Sequence, residues 1–515
     1  MRWYWKVLIG LCSLMLLVVF VNVGINIWIK YQLPKIINRD KNSAYVISFK
    51  KLKVSLLDRN IFADEVLIVP RAALSDDTNK SGVHTKVRRI EVRDFKFWNV
   101  LFSDKLKARS ITFDQPESIY YKNDVKKDLR KSAFVTFEKM ITVSDVFLRR
   151  GDLKMIDVKN GKVLLSVKNI SLDLDGILIN ERVLNNKIPF EFADYDLACD
   201  SVSYHPNPFY RIGIQKITAT KTDLNLHHLK VLPKYSRRAF TARIPKEKDL
   251  YTLLCKSVAV TQINWGFKHE DFFFHCDAIA VNHAAANIYR SKAPADNTHK
   301  KYLYSKLLRD LKFDLKVDTL KVRNSIIEYE EEKSAKTGPG KLSFGNFTLT
   351  ATDICSGFNR EKKPDLKINI QCRFMNASPL HANWRFNVMD RSDRFHINGT
   401  LTNFNTEMIE PFTKPYMNLE TSGILDEVHF NFTGNDKRNT GNFSVKYDDL
   451  KLTIFRKKNP EKKNRFLTFL AKIFVKKNTK GRVKEAYVEV ERIPEKSFYN
   501  LLWRSAEKGL KEIIM

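Results

Sequence analysis

The feature that most constrains this chain is an alternation of apolar and polar residues through most of the sequence after Pro34. It is clearest from Leu311 to Asp318, where Leu, Phe, Leu and Val alternate with Lys, Asp, Lys and Asp. Successive side chains of a β-strand point to opposite faces of its sheet, so this pattern predicts one apolar and one solvated face. The sequence therefore predicts a mainly β protein.

The same alternation recurs in several later segments and selects the residues that should share the apolar face. These candidates are Leu311, Phe313, Leu315, Val317, Ile368, Ile370, Phe374, Val428, Phe430, Phe432, Leu450, Leu452 and Ile454. Cys372 falls in the same alternation and is interpreted as a small core residue.

An apolar face of this extent must be buried against something. Few segments predict helices that could cover it: Lys126 to Met140, Lys301 to Leu308, and a last helix for which Ser497 is the candidate N-cap. The sheet could close on itself as a sandwich or barrel, or curl around another apolar molecule. The first outcome is the commoner one for a generic β protein. The scarcity of covering helices favours the second, an elongated, curled antiparallel β-sheet, or β-trough, with a few short helices and a C-terminal helix.

The N-terminus contains an almost wholly apolar run from Val7 to Ile29 with aromatic residues at both ends. Roughly 20 apolar residues are enough to cross a bilayer as a helix, and aromatic rings suit the headgroup level. No A-x-A-like cleavage site follows, which favours a retained anchor over a removed signal peptide. The predicted organisation is a short N-terminus (1–6), a transmembrane helix (7–29), a β body (30–455) and a basic, partly helical C-terminal region (456–515).

The formal net charge of +31 favours anionic partners such as lipid headgroups, lipopolysaccharide or nucleic acid. Basic and apolar residues are interleaved in the C-terminal region, which predicts an amphipathic helix. Such a helix suits an anionic membrane surface, or it could cap the end of the sheet. The membrane-surface candidates are Lys462, Lys463, Arg465, Phe466, Phe469, Leu470, Lys472, Phe474, Lys476 and Lys477.

No motif of a known catalytic chemistry is present. The sequence lacks H-E-x-x-H, G-x-S-x-G and a P-loop, and its histidines have no set spacing. The body cysteines lack C-x-x-C spacing, which argues against a zinc site. We therefore expect a protein that is not an enzyme, with no catalytic residues, no cofactor and no metal.

The layout of the whole chain resembles the AsmA-like family of Gram-negative envelope proteins, in the form found in Bacteroidota. Besides the N-terminal run, the resemblance rests on Ser48–Leu57, Ile61–Val69, Ala286–Lys292, Val322–Glu331, Lys341–Phe347, Gly441–Leu452 and Ser497–Ser505, in that order. Members of this family resemble elongated β-troughs related to bridge-like lipid transfer proteins.

The resemblance implies a single-pass inner-membrane protein with its N-terminus in the cytoplasm and its body in the periplasm. The implied function is binding or transfer of phospholipid, or another anionic envelope lipid, for outer-membrane biogenesis and envelope homeostasis. The apolar candidates would then line a lipid groove. The alternative is a scaffold that assists outer-membrane assembly proteins without carrying lipid. No nucleic-acid partner is expected for an exported body.

A eukaryotic setting is the remaining alternative. Seven N-x-S/T triplets occur, including those at Asn376 and Asn398, and in an exported eukaryotic protein they could be glycosylated. Such triplets also arise by chance in a chain rich in Asn, Ser and Thr. The resemblance favours the bacterial setting.

Overall fold

The computed structural model describes residues 45–55, 58–72, 81–96, 106–123, 141–179, 183, 190–358, 364–456, 459–463 and 478–514. These residues form a mainly β structure with few helices. The chain divides into two compact units, the first formed by residues 1–206 and 212–221 and the second by residues 207–211 and 222–515. The boundary falls inside the body predicted at 30–455, and the basic C-terminal region belongs to the second unit.

The first unit is built from strands that neighbour one another in sequence. They are β1 (Tyr45–Ser48), β2 (Lys51–Ser55), β3 (Asn60–Pro70), β4 (Gly82–Arg93), β5 (Leu106–Lys122), β6 (Ile141–Asp157), β7 (Val163–Ile179), β8 (Asp194–Asn207) and β9 (Tyr210–Thr220). Strand β3 pairs with both β1 and β2, and the ladder then continues from β3 through β4, β5, β6 and β7 to β8.

The second unit contains the remaining strands and the helices. The strands are β10 (Leu224–Pro233), β11 (Leu250–Thr261), β12 (Asn264–Lys268), β13 (Asp271–Ser291), β14 (Asp314–Glu332), β15 (Gly340–Cys355), β16 (Leu366–Phe374), β17 (Ser378–Phe386), β18 (Phe395–Asn405), β19 (Leu419–Gly434), β20 (Arg438–Arg456), β21 (Asn459–Lys463) and β22 (Lys484–Glu491). The helices are α1 (Arg237–Thr241), α2 (Tyr304–Arg309), α3 (Glu410–Met417) and α4 (Phe498–Ile514), with a 3₁₀ turn at Thr406–Ile409.

Among the described strand pairs with a defined register, the expected antiparallel pairing holds except at two places, where neighbouring strands run parallel. Strand β5 pairs in parallel with β6, and β13 pairs in parallel with β14. A parallel pair needs a crossover connection of about a dozen residues or more, whereas an antiparallel pair can be joined by a hairpin. The connection from β13 to β14 contains α2, close to the helix predicted at 301–308. The helix predicted between β5 and β6, at 126–140, lies outside the described residues.

A second departure from simple alternation is a line of left-handed residues inside the strands. His283, Asn324 and Asn346 have φ values of 53°, 50° and 46° in three successive strands of the second unit. The strand registers place His283 beside Asn324. In the first unit, Gln115 and Arg150 have φ values of 51° and 54° on the paired strands β5 and β6.

These left-handed residues change the spacing of the apolar side chains. Across His283 the apolar positions step by three residues instead of two, from Val281 to Ala284, and the same step runs from Leu226 to Leu229 across His228, whose φ is 52°. The side chains nevertheless stay on one face, since a Cβ on Gly151 would lie 2.6 Å from the Cδ2 atom of Leu148. A strict period of two therefore misses part of the apolar face.

Strand β16 shows the predicted alternation well. Leu366 and Cys372 are buried, whereas the intervening Lys367, Asn369 and Gln371 are exposed. The five body cysteines are all buried and form no disulfide with one another, and burial raises the pKa of the Cys372 thiol to about 11. The interpretation of Cys372 as a small core residue is confirmed.

The strand predicted at 311–318 begins later than expected. Strand β14 starts at Asp314, so Leu311 and Phe313 lie in the connection that follows α2. The prediction that these two residues belong to a strand is wrong. The short helix α2 continues to Arg309 and leaves too few residues for the strand to begin at 311.

The C-terminal helix α4 closes the core of the second unit. Its start is as predicted, because the backbone N–H of Asn500 donates to the Oγ atom of Ser497 at 3.3 Å. Its buried face contacts strands β20 and β22. A Cβ on Gly509 would lie 2.6 Å from the Cβ atom of Phe443, so this approach of helix and strand requires glycine.

Most residues of the two membrane-related predictions lie outside the described residues. None of the helices in the described ranges has the length and apolar character that a bilayer span requires. The predicted transmembrane helix at 7–29 lies outside the described residues. Lys462 and Lys463 belong to β21, so the predicted amphipathic helix is wrong at these two positions. The other eight membrane-surface candidates, between 465 and 477, lie outside the described residues.

Candidate functional site

The first unit presents a broad apolar face across strands β3 to β8. Paired residues form two neighbouring rows on this face. One row is Ile61, Val92, Ile111, Val146, Leu174 and Tyr195, and the other is Ala63, Ile90, Phe113, Leu148, Leu172 and Leu197. We call these twelve residues the first apolar face.

The first apolar face is only partly closed. Ile61 is buried, and the other eleven residues are half-buried. Among the described residues of this unit, helical geometry is confined to Ala72 and Val183. The opposite side of the same strands is mostly polar, with Asp173 beside Leu172 and Arg149 beside Leu148, although Phe62 and Phe147 also lie there. This arrangement leaves apolar side-chain surface accessible to a ligand with alkyl chains.

The second unit has an apolar face of its own on strands β10, β11, β13, β14 and β15, which we call the second apolar face. One row across it consists of Leu226, Val258, Val281, Val322 and Leu349, all half-buried. Toward one end of these strands, Val260, Cys276 and Val317 form a buried cluster with Leu315 packed against it. Two of the predicted groove residues, Leu315 and Val317, therefore lie on this second apolar face.

Most of the remaining candidates lie in a closed core. Val428, Phe432 and Leu450 are buried in a cluster with residues of α4, and Ile368, Phe430 and Leu452 pack against that cluster. Val428, Phe432 and Leu450 are therefore not accessible to a ligand, because this core includes residues of α4, whereas Ile368, Phe430 and Leu452 are half-buried at its margin. The pattern of apolar residues identified them as inward-facing but did not reveal what covers them.

The other three candidates are half-buried strand residues. Ile370 and Phe374 lie on β16, and Ile454 lies near the end of β20. The ring of Phe374 is 5.6 Å from the ring of Phe344 and 5.1 Å from that of Phe404. Phe374 therefore belongs to an aromatic cluster within the sheet.

A network of charged residues joins the ends of β13 and β14 to neighbouring segments, and the alternation did not predict it. Arg237 of α1 donates two hydrogen bonds to Glu330, at 2.6 and 2.8 Å, and Asn287 donates a third at 2.6 Å. Burial alone would raise the pKa of Glu330, but these hydrogen bonds lower it below its usual value. Glu330 is thus held as a buried carboxylate.

A second part of the network surrounds Glu331. It accepts hydrogen bonds from the hydroxyls of Tyr329 and Tyr416, and Lys292 lies 3.7 Å away. Burial would raise the pKa of Glu331, but the two tyrosine hydroxyls and the nearby positive charges lower it. Lys292 also forms a 2.9 Å ion pair with Glu247.

The charge network has a structural role in this arrangement. It ties two parallel strands to α1, to α3 and to the segment before β11, and each carboxylate discussed above has a partner. A sequence signal did exist: the acidic run Glu328–Glu332 interrupts a strand whose other residues alternate. Within the described ranges, no group of three or more His, Cys, Asp and Glu side chains could hold a metal ion.

Comparison with known proteins adds no family assignment. No protein-family model matches the chain. No curated protein shows significant similarity to it. The function must therefore be argued from the apolar faces themselves.

Proposed function

We propose that this protein binds phospholipid, or another anionic envelope lipid, along its apolar sheet faces. In this proposal the chain is an AsmA-like protein, anchored in the inner membrane by residues 7–29, with an elongated, curled β body in the periplasm. It carries or holds lipid for outer-membrane biogenesis. The observation that carries the proposal is the first apolar face, whose two rows of six residues are half-buried at every position except Ile61.

The physical argument is the transfer of alkyl chains out of water. Each buried CH₂ group contributes about 0.8 kcal/mol, so an acyl chain along several neighbouring strands would gain substantially. The polar opposite side of the same strands keeps the sheet solvated. The net charge of +31 favours the anionic headgroups of such lipids over cationic ligands.

A scaffold that carries no lipid is the second candidate, and one observation favours it. Strands β16 to β20 and β22 contribute to one core with α4, which packs Phe498, Leu501 and Ile513 into it. A self-packed core of this kind needs no ligand. In that case outer-membrane assembly proteins would be the partners, and the accessible face of the first unit would contact protein.

The discriminating experiment places a photocrosslinking amino acid at single positions of the full-length protein in living cells. Leu172 lies on the first apolar face, and its neighbour Asp173 points to the opposite side of β7. We expect lipid adducts, detected by mass spectrometry, at Leu172 but not at Asp173. The two positions share strand, depth along the strand and expression level, so Asp173 is a matched control.

Two results would contradict lipid binding. Equal lipid labelling at both positions would mean that the first apolar face has no preference for lipid. Protein adducts at Leu172 without any lipid adduct would favour the scaffold. A Leu172→Asp variant should also reduce co-purified lipid, because it places a charge among alkyl chains at a high desolvation cost.

A further inference from the structure

The hairpin formed by β12 and the start of β13 extends past the end of a neighbouring strand. Strand β12 pairs with β13 from Asn264↔His275 to Lys268↔Asp271. On the other side of β13, strand β14 begins at Asp314, opposite Phe273. Phe272 and the turn that precedes it therefore lie beyond the start of β14.

Four aromatic residues cluster on this hairpin and beside it. Phe267 and Phe272 are directly paired, with ring centroids 5.4 Å apart, and the ring of Phe313 lies 5.7 Å from Phe272. Trp265 lies two residues from Phe267 and so shares its face. Trp265 and Phe267 are 39% and 40% exposed. We call Trp265, Phe267, Phe272 and Phe313 the aromatic lip.

The aromatic lip continues the apolar face of the second unit. Trp265 is paired with Phe274 on the same side of the hairpin. Phe274 in turn packs against the cluster of Val260, Cys276 and Val317. A continuous apolar surface thus leads from the interior of the face to two exposed rings at the end of the strands.

We propose that the aromatic lip inserts into the interfacial region of a phospholipid bilayer, where acyl chains pass onto or off the second apolar face. This inference rests on the proposed lipid-binding function and adds the partner surface. Exposed Trp and Phe rings are characteristic of the headgroup level, where an amphipathic ring is well solvated.

The chemistry around the rings suits a bilayer. Lys268 extends its ammonium to 5.4 Å from the ring of Phe273, so its stem lies along an aromatic surface while its charge can reach headgroup phosphates. The turn residues His269 and Glu270 are exposed and polar, which limits how deeply the hairpin can enter. A shallow interfacial position follows from this combination.

Insertion can be measured with an environment-sensitive fluorophore on the full-length protein in vesicles of phosphatidylcholine and phosphatidylglycerol. The fluorophore NBD would be attached to Phe267→Cys, and to Tyr487→Cys as control. Tyr487 is a 65% exposed aromatic residue on β22. We expect a blue shift and quenching by doxyl-labelled lipid at position 267 only. Equal spectra at both positions, or no quenching at 267, would overturn the proposal.

The functional consequence is tested with Trp265→Ser combined with Phe267→Ser, compared with Tyr487→Ser. Trp265 and Phe267 each have about two-fifths of their surface left to bury, so losing both rings should slow the exchange of lipid between vesicles by about tenfold or more. Lipid crosslinking at Leu172 should be unchanged. An unchanged exchange rate would contradict the role of the lip.

The two proposals fail in distinguishable ways. If the protein with an intact aromatic lip gives no lipid adduct from the crosslinker at position 172, the proposed function is wrong, whatever the fluorophore at position 267 reports. If Leu172 gives adducts but position 267 is not quenched, lipid binding holds and the aromatic lip is not the membrane contact.

Discussion

Replacing Phe498 with alanine tests whether α4 closes the core of the second unit. Phe498 is 5% exposed, its ring stacks on Trp384 at a centroid distance of 4.6 Å, and the ring of Phe395 meets it edge-on at 5.0 Å. Truncation of a buried Phe to Ala typically costs about 3–5 kcal/mol. We therefore expect Phe498→Ala to lower the free energy of opening this core by about 4 kcal/mol.

Hydrogen exchange of the full-length protein, followed by mass spectrometry, measures this free energy locally. Since about 1.4 kcal/mol corresponds to a factor of ten, exchange in β22 and α4 should accelerate by about three orders of magnitude. The matched control is Tyr499→Ala, whose side chain is 62% exposed and whose loss should change stability by only about 0.5 kcal/mol. Acceleration by less than about tenfold for Phe498→Ala would show that α4 is not integral to this core.

Two further predictions concern the end of the sheet and the charge network. Arg504 and Lys508 of α4 donate hydrogen bonds to the backbone carbonyls of Glu491 and Glu489 on β22, at 2.7 and 2.9 Å. Replacing both side chains by alanine should leave these carbonyls without their donors. Because open strand edges pair with other chains, the double variant should show increased self-association in sedimentation velocity. Glu331 has a lowered pKa in the folded protein, so its stabilising effect is present above the ordinary carboxyl range and is lost as pH falls below about 4. A Glu331→Gln variant should therefore melt at a lower temperature at neutral pH and lose less stability on acidification. An equal pH dependence of the melting temperature in the variant and the unaltered protein, measured by calorimetry, would refute this.

The sequence alone was sufficient wherever the controlling interaction is local. Alternation of side chains is a property of a single strand, and it placed Cys372 inside without reference to any partner. The N-cap of α4 was predictable for the same reason, since Ser497 bonds a backbone N–H three residues away. The short helix before β14 was also indicated by its own residues, although its bounds shifted.

Several features of the apolar faces could not be predicted from a strict alternation of apolar and polar residues. Left-handed residues such as Asn324 shift the apolar positions by one residue, and Asn is a residue type that tolerates this conformation. The steps from Leu226 to Leu229 and from Val281 to Ala284 are visible in the sequence once the kinks are known. Without the register, however, nothing shows that the kinks of neighbouring strands coincide.

The sequence by itself determined the mainly β class, the side chains that avoid water, and the absence of recognisable catalytic motifs. Only the tertiary structure decided what each apolar segment is buried against. Val428 and Phe432 are buried in one core with a helix that begins more than 60 residues later, whereas Leu148 and Leu172 remain half-buried on an accessible face. The physical reason is that the hydrophobic effect is non-directional: it dictates that apolar surface is removed from water but not which distant segment, or which ligand, removes it.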